Sequence, residues 1–399
     1  MKSWRLPAAG LLVAALGACQ EDLTVPGGCP DLCVGQPTVA DVVIPVLAGS
    51  DSSHFGYSGF ADVTALLISD GLPAGEARGW YSFPSRADTV FVVDQWRPYT
   101  IDSVAFSLPL LARDTSVDGL VLYVHRVPRT IDTLVTFGEL EAALTPASLL
   151  DSIVVPDTTL SGLLRFVLSG DSLNRVIIPP EDSGQIAIGI RMRANAPSGV
   201  RLGTIANATS GPAFFTTFVR ADVPDTARQR QSIGISAGGN GYVTNVTRTF
   251  DPDLLYLGGL PAARSILRFD LGSAVPDSAT LLRATLELEP AEPLHGLPND
   301  AALLDGRAVL KDLGAKSTPI FNFRAAALLP EGTDTTVAMD VFSIVSTWRT
   351  SDSLPRIVYL MLSPEVGSFH EPVFFSSRSP SGAPRLRITY LLPAPVGRP

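Results

Sequence analysis

Hydrophobic and polar residues alternate at period two through most of the chain. In the run QIAIGIRMR, every second residue from Ile186 to Met192 is apolar and falls on one face of an extended strand. Similar segments begin at Thr89, Asp102, Gly119, Leu163, Ser265, Ala284, Arg356 and Arg385. Pro, Gly, Asp and Ser separate these segments at short intervals, which favours antiparallel strands over alternating strands and helices. We therefore predict an all-β fold.

Two segments predict short helices. TFGELEAAL begins at Thr136, has Glu139 at the spacing of a capping box, and ends before Pro146. In DVFSIVSTW, Asp340 can cap a helix whose apolar residues recur at helical spacing and end at Trp348. We expect Trp348 to pack in the core.

The chain also repeats itself. LLISDGLPA at 66–74 matches LLYLGGLPA at 254–262 in six of nine positions, and a pair of phenylalanines occurs late in both halves. The order of the matches predicts two copies of one β-sandwich, about 50–222 and 230–392, arranged in tandem. The predicted divisions are a signal peptide at 1–18, a tether at 19–49, a first sandwich at 50–222, a linker at 223–240, a second sandwich at 241–392 and a tail at 393–399.

The first nineteen residues predict export. MKSWR is positively charged, and the apolar stretch after it is shorter than the roughly 20 residues needed to span a bilayer. This stretch ends in LGAC, which resembles the lipobox of bacterial lipoproteins and implies a lipid anchor on Cys19. Gln20 follows where Asp would imply retention on the inner membrane, so the resemblance implies the outer membrane or cell surface. The alternative is an ordinary secretory peptide cut after Ala18, with Cys19 as a spare thiol.

The remaining cysteines, Cys29 and Cys33, lie close together in GGCPDLC. An oxidising compartment favours a small disulfide loop between them. Free or metal-bound thiols are the alternative, although the four histidines are scattered singly and offer no further ligands nearby. We expect no metal site and no cofactor.

Charge and motifs argue against several classes of function. The formal net charge is −9 without a basic run, so a nucleic-acid partner is not expected. GISAG at 234–238 fits the G-x-S-x-G pattern, but the residues after Ser236 do not predict the helix that a nucleophile elbow needs. Glu287 and Glu289 are two apart on a predicted strand, as expected of a solvated face. We expect no catalytic site.

The second copy contains four characteristic runs, which are, in chain order, LLYLGGLPAARSILRFDL, VPDSATLLRATLELEP, DVFSIVSTW and FFSSRSPSGAPRLRITY. This order resembles the bacterial DNRLRE domain, over about 160 residues. The first copy keeps the plan but has Trp80-Tyr81-Ser82-Phe83 in place of the LRFD motif. The resemblance implies jelly-roll-like sandwiches, usually non-catalytic modules of secreted or surface proteins, some of whose relatives bind acidic polysaccharides such as alginate.

Sandwiches that bind sugars use exposed aromatic rings, and DQWRPYT offers Trp96 and Tyr99 in a polar segment between two predicted strands. The alternative is that both rings serve in ordinary loop packing. We predict a non-catalytic lipoprotein, anchored to the membrane by lipid, that binds an extracellular polysaccharide or similar polymer. The runner-up is a structural or adhesive lipoprotein that contacts a surface protein partner, and a hydrolase is the third reading.

Overall fold

The computed structural model describes most of the chain beyond the N-terminal region. The described residues are 38–57, 64–72, 75–176, 185–221, 223, 229–245, 251–294, 296–297, 301–330, 332–363, 365 and 367–393. The predicted signal peptide, Cys19, Cys29 and Cys33 lie outside them. The described chain is mostly β, in several antiparallel sheets, which confirms the predicted class of all-β sandwiches.

The described strands are, in chain order, β1 (Thr38–Pro45), β2 (Ser52–Tyr57), β3 (Leu66–Asp70), β4 (Glu76–Phe83), β5 (Thr89–Val92), β6 (Gln95–Arg113), β7 (Val121–Val127), β8 (Leu149–Val154), β9 (Gly162–Leu168), β10 (Ile186–Arg193), β11 (Ser198–Leu202), β12 (Phe214–Ala221), β13 (Gln229–Ser236), β14 (Gly239–Asn245), β15 (Leu254–Tyr256), β16 (Ala262–Arg268), β17 (Thr280–Leu288), β18 (Ala301–Val309), β19 (Pro319–Pro330), β20 (Val337–Asp340), β21 (Ile357–Ser363), β22 (Val373–Phe375) and β23 (Arg385–Leu392). The helices are α1 (Phe137–Ala143), α2 (Gly170–Val176) and α3 (Phe342–Thr350).

The strands build two bodies. The first sandwich consists of β3 to β14, a twelve-stranded sheet that curls around a core rich in phenylalanine. The second sandwich packs the four-stranded sheet β1-β23-β17-β20 against the five-stranded sheet β19-β18-β21-β16-β2, with β15 and β22 as a separate pair. Its core draws apolar side chains from both sheets and from α3. Strands such as β9 and β23 place one apolar face inward, as the period-two pattern predicts, whereas β3 and β10 are buried on both faces over most of their length.

One arrangement of strands recurs in both sandwiches. The order β13-β12-β6-β9 of the first corresponds to β1-β23-β17-β20 of the second. Likewise β14-β4-β10-β7-β8 corresponds to β2-β16-β21-β18-β19. The matched motifs at 66–74 and 254–262 fall at corresponding places, because β3 and β15 precede β4 and β16. The two sandwiches therefore share an order of strand pairing as well as the repeated sequence motifs.

The predicted divisions differ from this pairing at four strands, β1, β2, β13 and β14. β2 lies in the predicted first sandwich but pairs in the second, and β14 lies largely in the predicted second sandwich but pairs with β4 of the first. The N-terminal strand β1, in the predicted tether, pairs with β23 from Thr38 opposite Leu392 to Pro45 opposite Arg385, and β2 pairs with β16. The predicted linker 223–240 contains β13, which pairs with β12. The first sandwich is therefore inserted between β2 and β15, and the sandwiches are not in tandem. Pairing with β1 and β2 covers the edges of β23 and β16, which would otherwise be open.

Both predicted helices form. At α1, the Thr136 hydroxyl accepts from the Glu139 backbone N–H at 3.3 Å, and the Glu139 carboxylate accepts from the Thr136 N–H at 2.8 Å, which confirms the capping box. Before α3, the Asp340 carboxylate accepts from the Phe342 N–H at 2.9 Å. Trp348 is fully buried, as predicted. The helix α2 was not expected, because its sequence GDSLNRV is short and carries residues of low helix propensity.

The two sandwiches pack directly against each other. Leu67 and Ala77 of the first join Leu260 and Phe369 of the second in one apolar cluster. Gly199 permits the close approach, because a Cβ there would lie 2.6 Å from the Phe369 ring.

Candidate functional site

A hairpin formed by β5 and the start of β6 carries an unusual turn. Its two turn residues, Val93 and Asp94, have positive φ angles of 49° and 58°. Such a two-residue turn matches the twist of the paired strands but favours Asn, Asp and Gly. A β-branched residue such as Val93 is strained in this conformation. The turn fixes the register of the hairpin, so that Phe91 lies directly opposite Trp96.

Phe91 and Trp96 form an exposed aromatic pair. Their ring centroids lie 5.5 Å apart in an edge-to-face arrangement, and 52% of Phe91 and 68% of Trp96 are accessible to solvent. Val93 at the turn is 62% exposed, whereas Val90 and Val92 are buried on the opposite face. We call Phe91 and Trp96 the aromatic pair. Phe91 was not predicted as a site residue, although the alternation in TVFVVDQW places it on the same face as the turn residue Val93.

Tyr99 does not belong to the same surface. It lies three positions beyond Trp96 in β6 and therefore on the opposite face of the strand. Its hydroxyl donates to the Ala87 carbonyl at 2.5 Å and accepts from the Arg86 Nε at 2.8 Å. Its ring packs against the buried cluster that contains Val219. The two predicted site residues thus lie in a strand, and only Trp96 is available to a ligand in the manner predicted.

Polar side chains continue the face that carries Trp96. Thr100, four residues on and roughly 13 Å along the strand, shares this face and pairs with Arg220. The Asp102 carboxylate lies beside this pair and accepts from the Arg220 Nε at 2.6 Å; the exposed Arg230 Nε lies 3.8 Å from the same oxygen. Aromatic rings and hydrogen-bonding groups therefore lie along one side of the sheet.

The motifs judged non-catalytic lie in ordinary structure. Ser236 ends β13, and the strand β14 begins at Gly239, so a strand and not a helix follows the GISAG motif. Glu287 lies between Arg387 at 2.9 Å and Arg385 at 2.5 Å. The hydrogen bond from Arg387, together with that from Arg385, lowers the pKa of the Glu287 carboxyl. This carboxylate takes part in a surface ion cluster.

His125 is a buried histidine of the first sandwich. Its side chain is buried, and its Nδ1 lies 3.1 Å from the Thr145 carbonyl oxygen, while its Nε2 is buried without a hydrogen-bond partner among the described residues. Burial, with the nearby Arg191 charge, lowers the pKa of His125 to about 4. The imidazole is therefore neutral at pH 7 and packs in the interior, and the stability of the fold should depend on its protonation.

Comparison with protein-family models and with curated proteins finds no match to this chain. Across the described ranges, no helix is long and apolar enough to cross a membrane.

Proposed function

We propose that this protein is an exported, lipid-anchored and non-catalytic lipoprotein that binds an extracellular polysaccharide, with the aromatic pair stacking on its sugar rings. The exposure of Phe91 and Trp96 on a strained hairpin carries the proposal. Two large rings in water gain about 1–2 kcal/mol each when a ligand covers them. Such gains are modest singly and add up along a polymer.

The polar residues beside the aromatic pair favour an acidic polymer. Arg230 is exposed, and it shares the Asp102 carboxylate with Arg220 at a long distance of 3.8 Å. A sugar carboxylate could therefore pair with Arg230 without breaking a short ion pair. The resemblance of the second copy to the DNRLRE domain supports the same class of ligand.

The N-terminal sequence supports the lipid anchor. The motif that ends at Cys19 precedes the first described strand by fewer than twenty residues, so an anchor there would hold the sandwiches close to the membrane. Expression of the full chain should give a protein that partitions into detergent and incorporates fatty acid, and Cys19→Ser should abolish the incorporation of fatty acid. A wild-type protein that stays in the aqueous phase would contradict the anchor.

Affinity electrophoresis tests the binding function. The soluble chain from residue 20 onward would run through gels that contain alginate, pectate or a neutral glucan. We expect retardation by at least one polymer and its loss in Trp96→Ala. No retardation by any polymer, or equal retardation of the variant, would contradict the proposal.

The alternative role, contact with a protein partner, is favoured by the edge strand β9. Leu163 and Val167 are both exposed and lie on one face of it. Crosslinking in the native host distinguishes the roles: a partner captured by the wild type and lost with Leu163→Glu would favour this alternative.

A further inference from the structure

The strand β12 carries aromatic and basic side chains on its outer face. Its residues alternate strictly between the core and the surface, and Phe214, Phe218 and Arg220 are among the half-buried ones that face outward. The strands β13 and β6 pair with β12 on either side, and β9 pairs with β6. We call the outer surface of these four strands the β12 face. Because Arg220 pairs with Thr100, the β12 face continues the surface that carries Trp96.

Two arginines of the β12 face lie opposite each other. Arg220 of β12 and Arg230 of β13 are direct partners in the ladder, and like charges in this position destabilise a sheet. The Asp102 carboxylate lies 2.6 Å from the Arg220 Nε and 3.8 Å from the Arg230 Nε, so it compensates only Arg220 at short range. An anion bound beside Arg230 would relieve the remaining repulsion. The pair therefore favours an anionic ligand, although the chain as a whole has a net charge of −9.

Arg165 adds a third positive charge to the β12 face. It is exposed on β9, and its guanidinium carbon lies 5.8 Å from the centroid of the Phe218 ring. Such a cation–π contact positions the guanidinium without using its N–H donors. A ring and a cationic donor group are thus held together at the surface.

The corresponding face of the second sandwich lacks both features. The outward residues of β23 are Arg385, Arg387, Thr389 and Leu391, and none of them is aromatic. Both arginines donate to Glu287, at 2.5 and 2.9 Å, so one carboxylate binds the two closely. The arrangement of strands therefore requires neither the rings nor the poorly compensated arginine of the β12 face.

The surface beside the phenylalanine rings is open. The outward residues of β13 are small there, namely Ser232, Gly234 and Ser236, and all three are exposed. A Cβ added to Gly234 would meet no described atom within 4 Å. Along β6, the distance from Trp96 to the residue opposite Phe214 is roughly 33 Å. The β12 face therefore has room for several sugar residues in a row.

We propose that an acidic polysaccharide chain lies lengthwise on the β12 face, with one sugar ring on Phe218 and with carboxylates at Arg165 and at the pair of Arg220 and Arg230. Guanidinium groups bind carboxylates through paired, charge-assisted hydrogen bonds, and an aromatic ring offers an apolar face to a sugar. This inference rests on the proposed function and deepens it, because it assigns the residues that select an acidic polymer.

Matched polymers test the charge preference. Polygalacturonate and alginate would each be compared with an esterified form that keeps the sugar backbone and loses the charge, and polyglutamate supplies the charge without sugar rings. In affinity electrophoresis, at least one acidic polysaccharide should retard the soluble chain from residue 20 onward more than its ester and more than polyglutamate. If neither acidic polysaccharide exceeds its ester, the proposal is overturned. Equal retardation by polyglutamate would overturn it in favour of an acidic polypeptide.

A double variant of the exposed arginines tests the contacts. Arg165→Gln combined with Arg230→Gln keeps the short ion pair between Arg220 and Asp102, and it should weaken binding of the acidic polymer about tenfold, because charge-assisted hydrogen bonds are lost. The control Arg193→Gln removes an exposed arginine of β10, outside the β12 face, and should leave the affinity unchanged. Equal affinities of the double variant and the control would count against the proposed contacts and overturn them.

Gly234 allows a test by obstruction. Gly234→Glu places a side chain and a negative charge in the open space of the β12 face, so binding of the acidic polymer should fall about tenfold. The control Gly138→Glu, at a similarly open position of α1, should bind like the wild type. Retardation that depends on Trp96 but is unchanged in Gly234→Glu and in the double variant would overturn this extension alone and leave the proposed function standing.

Discussion

Ile44 lies directly opposite Leu386 in the ladder between the N-terminal strand β1 and the C-terminal strand β23. Both side chains are buried in the core of the second sandwich. The first two strands of the chain, β1 and β2, therefore belong to the second sandwich. The corresponding strands of the first sandwich, β13 and β14, follow β12 directly in the sequence and pair with β12 and β4.

Truncation of Ile44 should destabilise the second sandwich. Ile44→Ala removes buried methyl groups and leaves a cavity, so we expect a loss of about 2–4 kcal/mol in the free energy of unfolding. Urea unfolding, followed by the fluorescence of the core residue Trp348, measures the change. The neighbouring exposed Val43 is the control, and Val43→Ala should change stability by less than about 0.5 kcal/mol. Equal effects of the two substitutions would contradict the pairing.

The two sandwiches should differ in whether they fold as isolated fragments. Residues 64–245 contain every strand of the first sandwich, so this fragment should give a dispersed NMR spectrum alone. Residues 251–393 lack β1 and β2, which leaves two sheet edges open, and this fragment should aggregate or remain unfolded. A peptide of residues 38–57 added in trans should restore its folded spectrum. If the 251–393 fragment folds without the peptide, the second sandwich does not need β1 and β2, and the prediction is wrong.

The strained turn should respond to a residue that tolerates positive φ. Val93→Asn should stabilise the protein by about 1 kcal/mol, because Asn adopts this conformation more readily than a β-branched residue. Val154 is 63% exposed in ordinary strand backbone, so Val154→Asn should bring no gain. Thermal unfolding of the two variants measures the difference. A Val93→Asn protein no more stable than wild type would show that the turn is unstrained.

His125 should make stability depend on pH. Its pKa is lowered from 6.5 to about 4 in the folded protein. Above pH 6.5 the imidazole is neutral in both states and its full contribution is present. Between pH 6.5 and 4 the unfolded chain binds the proton more readily, so stability falls as the pH falls.

The comparison with His125→Asn isolates this effect. The difference in unfolding free energy between wild type and variant should be constant above pH 7 and shrink as the pH falls towards 4. Urea unfolding across this range measures it. A difference that does not vary with pH would show that His125 is not held neutral.

Local features of the fold were predictable, and strand partners were not. The alternation at Ile186 to Met192 and the capping box at Thr136 are encoded within a few residues, so both predictions hold. The partner of β1 lies more than 300 residues away, and its apolar face indicates burial without saying against what. The repeated order of motifs in the two halves predicted a tandem arrangement, and it carries no information about which copy each terminal strand joins.

The candidate site was also predictable only in part. The spacing of Trp96 and Tyr99 implies opposite faces once both lie in a strand, but the polar segment DQWRPYT was predicted to connect two strands and not to belong to one. Pro98 is tolerated in β6 opposite Thr89, at the edge formed by the β5 hairpin. Exposure of Trp96 depends on tertiary packing, so the sequence could nominate the ring but not its surroundings.

The dissociation constant of the soluble chain for the retarding polysaccharide, compared between Trp96→Ala and Phe321→Ala, tests the central claim most directly. Phe321 is 76% exposed on the second sandwich and serves as a matched aromatic control. We expect Trp96→Ala to weaken binding about tenfold, which corresponds to about 1.4 kcal/mol, and Phe321→Ala to leave it unchanged. Equal weakening by both substitutions, or none with Trp96→Ala, would contradict the aromatic pair as the binding site.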